Sequence, residues 1–285
     1  MITVTGATGH LGRLVVEELL RSGVPADEIV AAVRSPHKAA DLAERGVQVR
    51  EADYTKPETL ATAFAGTDKL LLVSSNEVGQ RVAQHRNVVD AAVQAGVSLI
   101  VYTSVLYAQT SGIALAAEHK ATEDVIRASG LAYVFLRNGW YIENYTENLA
   151  PAFEHGAILG SAGAGRVSGA TRADFAAAAA AVLAGEGHAG TVYELGGDQP
   201  FTLAELAAEV TAQSGKPVVY ADLPVEEYTK ALVGAGLPEA FAGVLSDSDL
   251  GIARGELFTD SGELSQLIGR PTTTLAEAVA TALKA

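Results

Sequence analysis

Cysteine is absent from the 285 residues. That excludes disulfides, thiolate metal sites, iron–sulfur clusters and a cysteine nucleophile together. Basic charge is scarce: 20 Lys and Arg stand against 34 Asp and Glu, a formal balance of −14. Such a chain repels phosphate backbones, so nucleic-acid binding is not expected, although a local basic pocket remains open. Long hydrophobic runs are missing. The most apolar low-complexity run, residues 175–184, is about ten residues, against roughly 20 for a membrane span. It reads as an alanine-rich buried helix, and no membrane partner is expected. No basic n-region, apolar h-region or cleavage site precedes the first glycines, so no signal peptide is expected. The sequon Asn144-Tyr145-Thr146 reads as chance in a soluble, cytoplasmic chain. Solenoid repeats and a Ser/Pro/Gly linker are also lacking.

Missing pairings narrow the chemistry. The histidines His10, His37, His85, His119, His155 and His188 include no pair at i, i+3 or i+4. No metal site is therefore expected. A G-x-S-x-G elbow is absent, which removes the signal for a serine hydrolase. None of the nine tyrosines has a lysine four residues on. In a Tyr-x-x-x-Lys pair the lysine lowers the tyrosine pKa for proton donation to a carbonyl. Its absence argues against ordinary alcohol–ketone interconversion and sugar-nucleotide epimerisation.

What is present is an alternation. Hydrophobic residues make up 48% of the chain and charged residues 19%, the balance of a folded α/β protein rather than a disordered one. Short runs rich in Val, Ile, Leu and Tyr at 2–5, 29–33, 47–50, 70–73, 99–102 and 133–136 predict strands. Segments 11–20, 36–44, 57–64, 82–95 and 116–129 carry apolar residues at helical spacing. Pro57 sits near the start of one, and Gly96 follows the end of another. Strand–helix–strand order implies a parallel sheet with helices on both faces.

After about Gly139 the pattern changes. Glycine and alanine rise across 156–169, suggesting a substrate-side loop or irregular lobe. Strands are expected at 191–195 and 218–220. A helix at 202–214 opens with Thr202 and has Glu205 three residues on, a capping-box pattern. The remainder reads as mostly helical. The expectation is a doubly wound parallel sheet in residues 1–150, and a smaller, mostly helical substrate-covering lobe in 151–285, partly interleaved with it.

Gly6-Ala7-Thr8-Gly9-His10-Leu11-Gly12 follows the first strand and opens the first helix. This is G-x-x-G-x-x-G. Small residues let backbone approach a pyrophosphate, and a helix N-terminus offers unpaired N–H groups and a favourable dipole. A dinucleotide is the expected ligand of a Rossmann-type fold begun in this way. The second strand ends in Arg34, where an NAD-preferring site carries Asp or Glu. The planar guanidinium suits a 2′-phosphate and favours NADPH. The alternative is a surface arginine paired with Asp41 or Glu44. Asp53, after the third strand, is placed to meet the adenine edge or to cap a helix.

These residues, with Ala52-Asp53-Tyr54 and 70–75, resemble the NmrA-like group of atypical short-chain dehydrogenases. Segments 75–81, 137–145, 170–174 and 268–274 resemble the bacterial type 2 NAD(P)H:quinone oxidoreductases within that group, with triphenylmethane-dye reductases near relatives. The likeness runs over almost the whole chain. It implies a reductase that binds NADPH and passes hydride to a small-molecule quinone, without flavin or metal. It also implies cofactor contacts at Gly6, Ala7, Thr8, Gly9, His10, Leu11, Arg34, Ser74, Ser75, Asn76, Asn138, Gly139, Trp140, Tyr141, Ile142 and Glu143, with Gly169 near the nicotinamide end.

Quinone reduction tolerates the missing dyad, because the hydroquinone anion delocalises its charge. Orientation of the ring supplies much of the rate. Asn138, Tyr141 and His119 are the candidate catalytic residues, for orientation or proton donation; Tyr107 and Arg172 are candidates for the substrate. Related readings are an azo or triphenylmethane-dye reductase, and a non-catalytic NADP(H)-binding sensor. The sequence is compatible with a homodimer and assigns no oligomeric state.

Overall fold

The computed structural model describes residues 1–284. They form two compact units that alternate along the chain. The first comprises residues 1–105, 118–137 and 172–193; the second comprises 106–117, 138–171 and the described residues from 194 on. The sequence pattern sets the two parts at 1–150 and 151–285, the second partly interleaved with the first; the two units here alternate in shorter stretches. The chain passes between the units repeatedly.

The first unit carries most of a seven-stranded sheet. Its strands are β1 (Ile2–Thr5), β2 (Ile29–Val33), β3 (Gln48–Glu51), β4 (Lys69–Leu72), β5 (Leu99–Val105), β6 (Ala132–Asn138) and, later in the chain, β8 (Val192–Leu195). The order is β3-β2-β1-β4-β5-β6-β8. β1 pairs in parallel with β2 and β4, β2 with β3 and β4 with β5. The six expected strands of the first half are all present, each within a few residues of its expected bounds. Helices α1 (His10–Arg21), α2 (Ala40–Glu44), α3 (Pro57–Ala63), α4 (Arg81–Ala95), α5 (Ala114–Ala128) and α8 (Arg172–Ala184) accompany the strands. β2 is buried at every residue, which is why it reads as an unbroken apolar run rather than an alternation.

The core on one sheet face joins Leu60, Phe64, Leu72, Val88, Ile100, Tyr102 and Phe135. Elsewhere in the unit, α1 buries Leu11, Val15, Val16 and Leu19 and packs closely on α8. α8 is the alanine-rich run; its Phe175, Ala176, Ala179 and Leu183 are buried. Small side chains let that helix approach α1 without leaving voids.

The second unit holds α6 (Glu143–Thr146), α7 (Ala150–His155), β7 (Ala157–Gly160), α9 (Leu203–Ser214), β9 (Val219–Asp222), α10 (Val225–Gly234), α11 (Glu239–Ala253), α12 (Glu263–Ile268) and α13 (Leu275–Ala282). β7 and β9 pair in parallel as a separate two-stranded sheet. β7 lies where glycine and alanine enrichment suggested a substrate-side loop or irregular lobe. The expected capping box is formed: Thr202 accepts the Glu205 N–H, and the Glu205 carboxylate accepts the Thr202 N–H. Thr274 and Glu277 repeat it on α13.

Candidate cofactor and substrate site

In the strand order, β1 is where the sheet's winding reverses, with β2 on one side and β4 on the other. Ligands of open α/β sheets bind beyond the carboxyl ends of the strands at such a switch point. The glycine loop leaves β1 there. Gly6 sits at φ +59°, a left-handed conformation that a side chain disfavours. A Cβ on Gly12 would lie 2.4 Å from the Gly6 carbonyl oxygen, so α1 approaches its own loop through bare backbone. Gly9, the N-cap of α1, brings no side chain to close the first N–H groups of the helix. Those groups and the helix dipole face outward, with exposed Thr8 and Gly9 around them. That cradle fits a pyrophosphate.

The loop after β4 forms the other wall. A Cβ on Gly6 would rest 3.7 Å from Val73. Thr5 Oγ1 accepts the Val73 N–H at 3.0 Å, and the Tyr54 hydroxyl lies 2.9 Å from the Val73 carbonyl. Ser74 N–H donates to Thr103 Oγ1 at 2.9 Å. Ser75 is held at both ends of its peptide units: its N–H donates to His85 Nε2 at 2.9 Å, and its carbonyl accepts Arg81 Nε at 2.7 Å. His85 is fully buried, and its Nδ1 lies 3.0 Å from Thr122 Oγ1. Burial, with Arg81 nearby, pushes its pKa down to about 3. It is therefore neutral at pH 7, with Nε2 free to accept. Arg81 also pairs with Glu118 at 3.1 Å, and Glu118 accepts the Gly79 N–H.

Arg34 ends β2 at the same crevice and is exposed. Neither acid suggested by the sequence is its partner. Asp41 pairs with Arg13, and Arg34 lies 3.3 Å from Glu77. Asp53 accepts the N–H and hydroxyl of Thr55, so it caps the turn before α3. Gly6 through Leu11, Arg34 and Ser74 to Asn76 thus come together in the first unit.

The second unit holds the remaining expected cofactor contacts on crowded backbone. The Gly139 N–H donates to the Leu195 carbonyl at 2.7 Å, and the Ala170 N–H to the Trp140 carbonyl at 3.0 Å. The Ile142 N–H donates to the Ala170 carbonyl at 3.0 Å, completing a parallel bridge between Tyr141 and Ala170. Residues 139–142 therefore run along 168–170 like a short strand. A Cβ on Gly169 would strike the Phe201 ring at 2.8 Å, so only glycine fits. Asn138 is 4% exposed, and its Oδ1 has no hydrogen-bond partner among the described residues. An unsatisfied buried acceptor costs about 1–3 kcal/mol, which a ligand amide would relieve.

Tyr107 belongs to the same unit and holds φ +52°, unusual for a bulky residue. Its N–H donates to the Glu194 carboxylate at 2.9 Å, which fixes the strained backbone. Arg172 opens α8 in the first unit. His119, also in the first unit, is buried, with Nδ1 2.7 Å from the Tyr102 hydroxyl. Burial, with Arg81 and His85 adding to it, lowers its pKa well below the usual value. A neutral imidazole locked to a buried tyrosine suits orientation better than proton donation.

Sequence reasoning passed over Glu77, Arg81, Gln84 and His85. Their signal was present: 81, 84 and 85 lie on one face of α4 at helical spacing, where an apolar stripe would otherwise stand. It also passed over Glu194, for which spacing gives no signal.

The NAD(P)H-binding family profile matches residues 6–186. The chain is 54% identical over 279 residues to quinone oxidoreductase 2 of Escherichia coli (strain K12), covering 98% of this chain and 97% of that one. Among solved structures it is similar to the NADPH-dependent quinone oxidoreductase of Escherichia coli complexed with NADPH. There the TM-score is 0.96 and the identity 54%, over 99% of this chain and 100% of that one. It is similar also to the Citrobacter sp. triphenylmethane reductase complexed with NADP(H), with a TM-score of 0.94 and 45% identity over 99% and 100% of the two chains.

Proposed function

The chain belongs to the NAD(P)H-binding family, and on that premise we propose that it is an NADPH-dependent enzyme that reduces quinones. The observation that carries the cofactor is the open N-terminus of α1 above a loop that needs glycine at Gly6 and Gly12. When bound, the reduced nicotinamide supplies hydride. The chain's own residues do the rest. Backbone N–H groups of the glycine loop take the pyrophosphate. Arg34 takes the 2′-phosphate, where its planar fork matches the anion. Ser74 to Asn76 form the wall fixed by His85 and Arg81. Asn138 offers the buried, unsatisfied acceptor for an amide of the ligand, and residues 139–143 and Gly169 line that end.

For the quinone, Tyr107 and Arg172 supply substrate contacts, and Tyr141 is the candidate donor to the developing hydroquinone oxygen. A delocalised anion needs hydrogen-bond donors more than a strong acid. Orientation of the two rings therefore supplies much of the acceleration. Transfer directly to the quinone, without flavin or metal, is part of the proposal. So are a cytoplasmic location and a homodimer, checked by cell fractionation and light scattering.

The test follows NADPH consumption with a simple benzoquinone, using protein without flavin absorbance in the presence of a chelator, with NADH in parallel. Turnover favouring NADPH is expected, and Arg34→Ala should erase that preference. Tight NADPH binding without turnover on any quinone or dye would leave a sensor in place of an enzyme.

A further inference from the structure

Arg34 and Glu77 reach each other over the end of β1 from opposite sides. Arg34 leaves β2, and Glu77 belongs to the loop after β4. Their contact, Arg34 Nη1 to Glu77 Oε1 at 3.3 Å, therefore spans the mouth of the switch-point crevice.

Glu77 is anchored more firmly than its exposure suggests. Its second oxygen, Oε2, accepts from Gln84 Nε2 at 2.7 Å. Gln84 is 5% exposed, and its own oxygen accepts the Ser75 hydroxyl at 2.5 Å. Ser75 is in turn fixed by His85 and Arg81. A continuous run of hydrogen bonds thus leads from the buried face of α4 to one carboxylate and aims it at one guanidinium. Asp53 also lies within electrostatic range of Arg34, but its carboxylate is engaged by Thr55 and lies 3.7 Å from Lys56.

We propose that Glu77 is a resident competitor for Arg34 and sets how strongly the chain prefers NADPH over NADH. A carboxylate and a phosphate offer a guanidinium the same anionic oxygens. With NADH, whose ribose carries no phosphate, Glu77 keeps the arginine neutralised. With NADPH, the 2′-phosphate must displace Glu77 and then sit beside its negative charge. Preference is thereby held below the level Arg34 alone would give. This proposal rests on the assignment of Arg34 to the 2′-phosphate.

The test is equilibrium binding of each cofactor, read by calorimetry, to the parent chain, Glu77→Gln, Arg34→Ala and the double variant. Glutamine keeps an oxygen for the Gln84 amide, so the loop retains its anchor. Glu77→Gln should lower the NADPH Kd roughly two- to fivefold, the range of an exposed ion pair. The NADH Kd should move less than about twofold, and the NADPH gain should shrink as salt rises. In the Arg34→Ala background the same substitution should give a clearly smaller selective gain, from relief of charge repulsion alone. Unchanged or weaker NADPH binding in Glu77→Gln, with the preference still lost in Arg34→Ala, overturns the role of Glu77 and leaves that of Arg34 intact. Full preference in Arg34→Ala overturns both.

Discussion

His85 Nε2 accepts the backbone N–H of Ser75 while Nδ1 faces Thr122, so one buried imidazole joins the loop after β4 to α5. The bond to Ser75 needs the neutral ring. His85→Gln retains an acceptor on a side chain of similar reach; His85→Leu removes it and leaves the Ser75 N–H without that partner. Loss of such a bond costs about 1–3 kcal/mol. The leucine variant should raise the NADPH Kd about tenfold or more, and glutamine should recover part of the loss. Paired calorimetric titrations of the two variants decide it.

Stability should fall on acidification. His85 titrates near 6.5 in the unfolded chain and at about 3 when folded. Between those values the unfolded state holds more protons. Folding free energy therefore rises with pH across the window and is lost as pH falls through it, by at most about 5 kcal/mol. His119 acts in the same direction. Asp249 opposes them: burial raises its carboxyl to about 6, so its ionisation costs stability as pH climbs from about 4. Urea unfolding at pH 4, 5, 6 and 7.5 should show a net gain toward neutrality. Asp249→Asn, whose amide oxygen still accepts the Ser161 N–H, should steepen that gain and add up to about 3 kcal/mol at pH 7.5.

Glu123 is fully buried and receives Arg137 through two bonds, Nε at 2.9 Å and Nη2 at 2.7 Å, with Ser104 donating a third at 2.7 Å. Removing one member of a buried ion pair takes from the other its charged partner here. Glu123→Ala should lose about 3–5 kcal/mol in denaturant unfolding. Asn138 follows Arg137 directly, so a milder Glu123→Gln variant should bind NADPH more weakly even where it remains folded.

Gly12→Ala inserts a methyl group 2.4 Å from the Gly6 carbonyl oxygen. Backbone must move, and the pyrophosphate cradle moves with it. NADPH binding should weaken by about tenfold or more, accompanied by a lowered melting temperature. Gly23→Ala is the control for handling: its site has open space, and its only cost is a φ of +89° far from the cradle.

Much of the sheet was legible because its strands are buried runs and its helices carry stripes of one period. β1, β2 and α1 illustrate this. β7 escaped notice because Ala157-Ile158-Leu159-Gly160 is short and lies among glycines, and its partner β9 is about 60 residues away. The glycine loop was readable since steric need for glycine is local. The partner of Arg34 was not: Glu77 is distant in sequence and meets it only through the crossover that carries the chain from β3 past β2 and β1 to β4. Tyr107 shows the same limit, because the Glu194 carboxylate that accepts its N–H in this positive-φ conformation lies 87 residues away.

The interleaving of the two units bears on synthesis. A ribosome that has released residues 1–150 has released neither unit whole. The face of α1 that buries Leu11, Val15 and Leu19 must wait for α8, more than 150 residues later, and the sheet waits for β8. Until then an apolar helix face and an open strand edge stand in water, the surfaces on which nascent chains misassociate. Fragments ending near residue 150 should accordingly be recovered as aggregates, whereas the first chain length able to close the sheet lies just beyond residue 195.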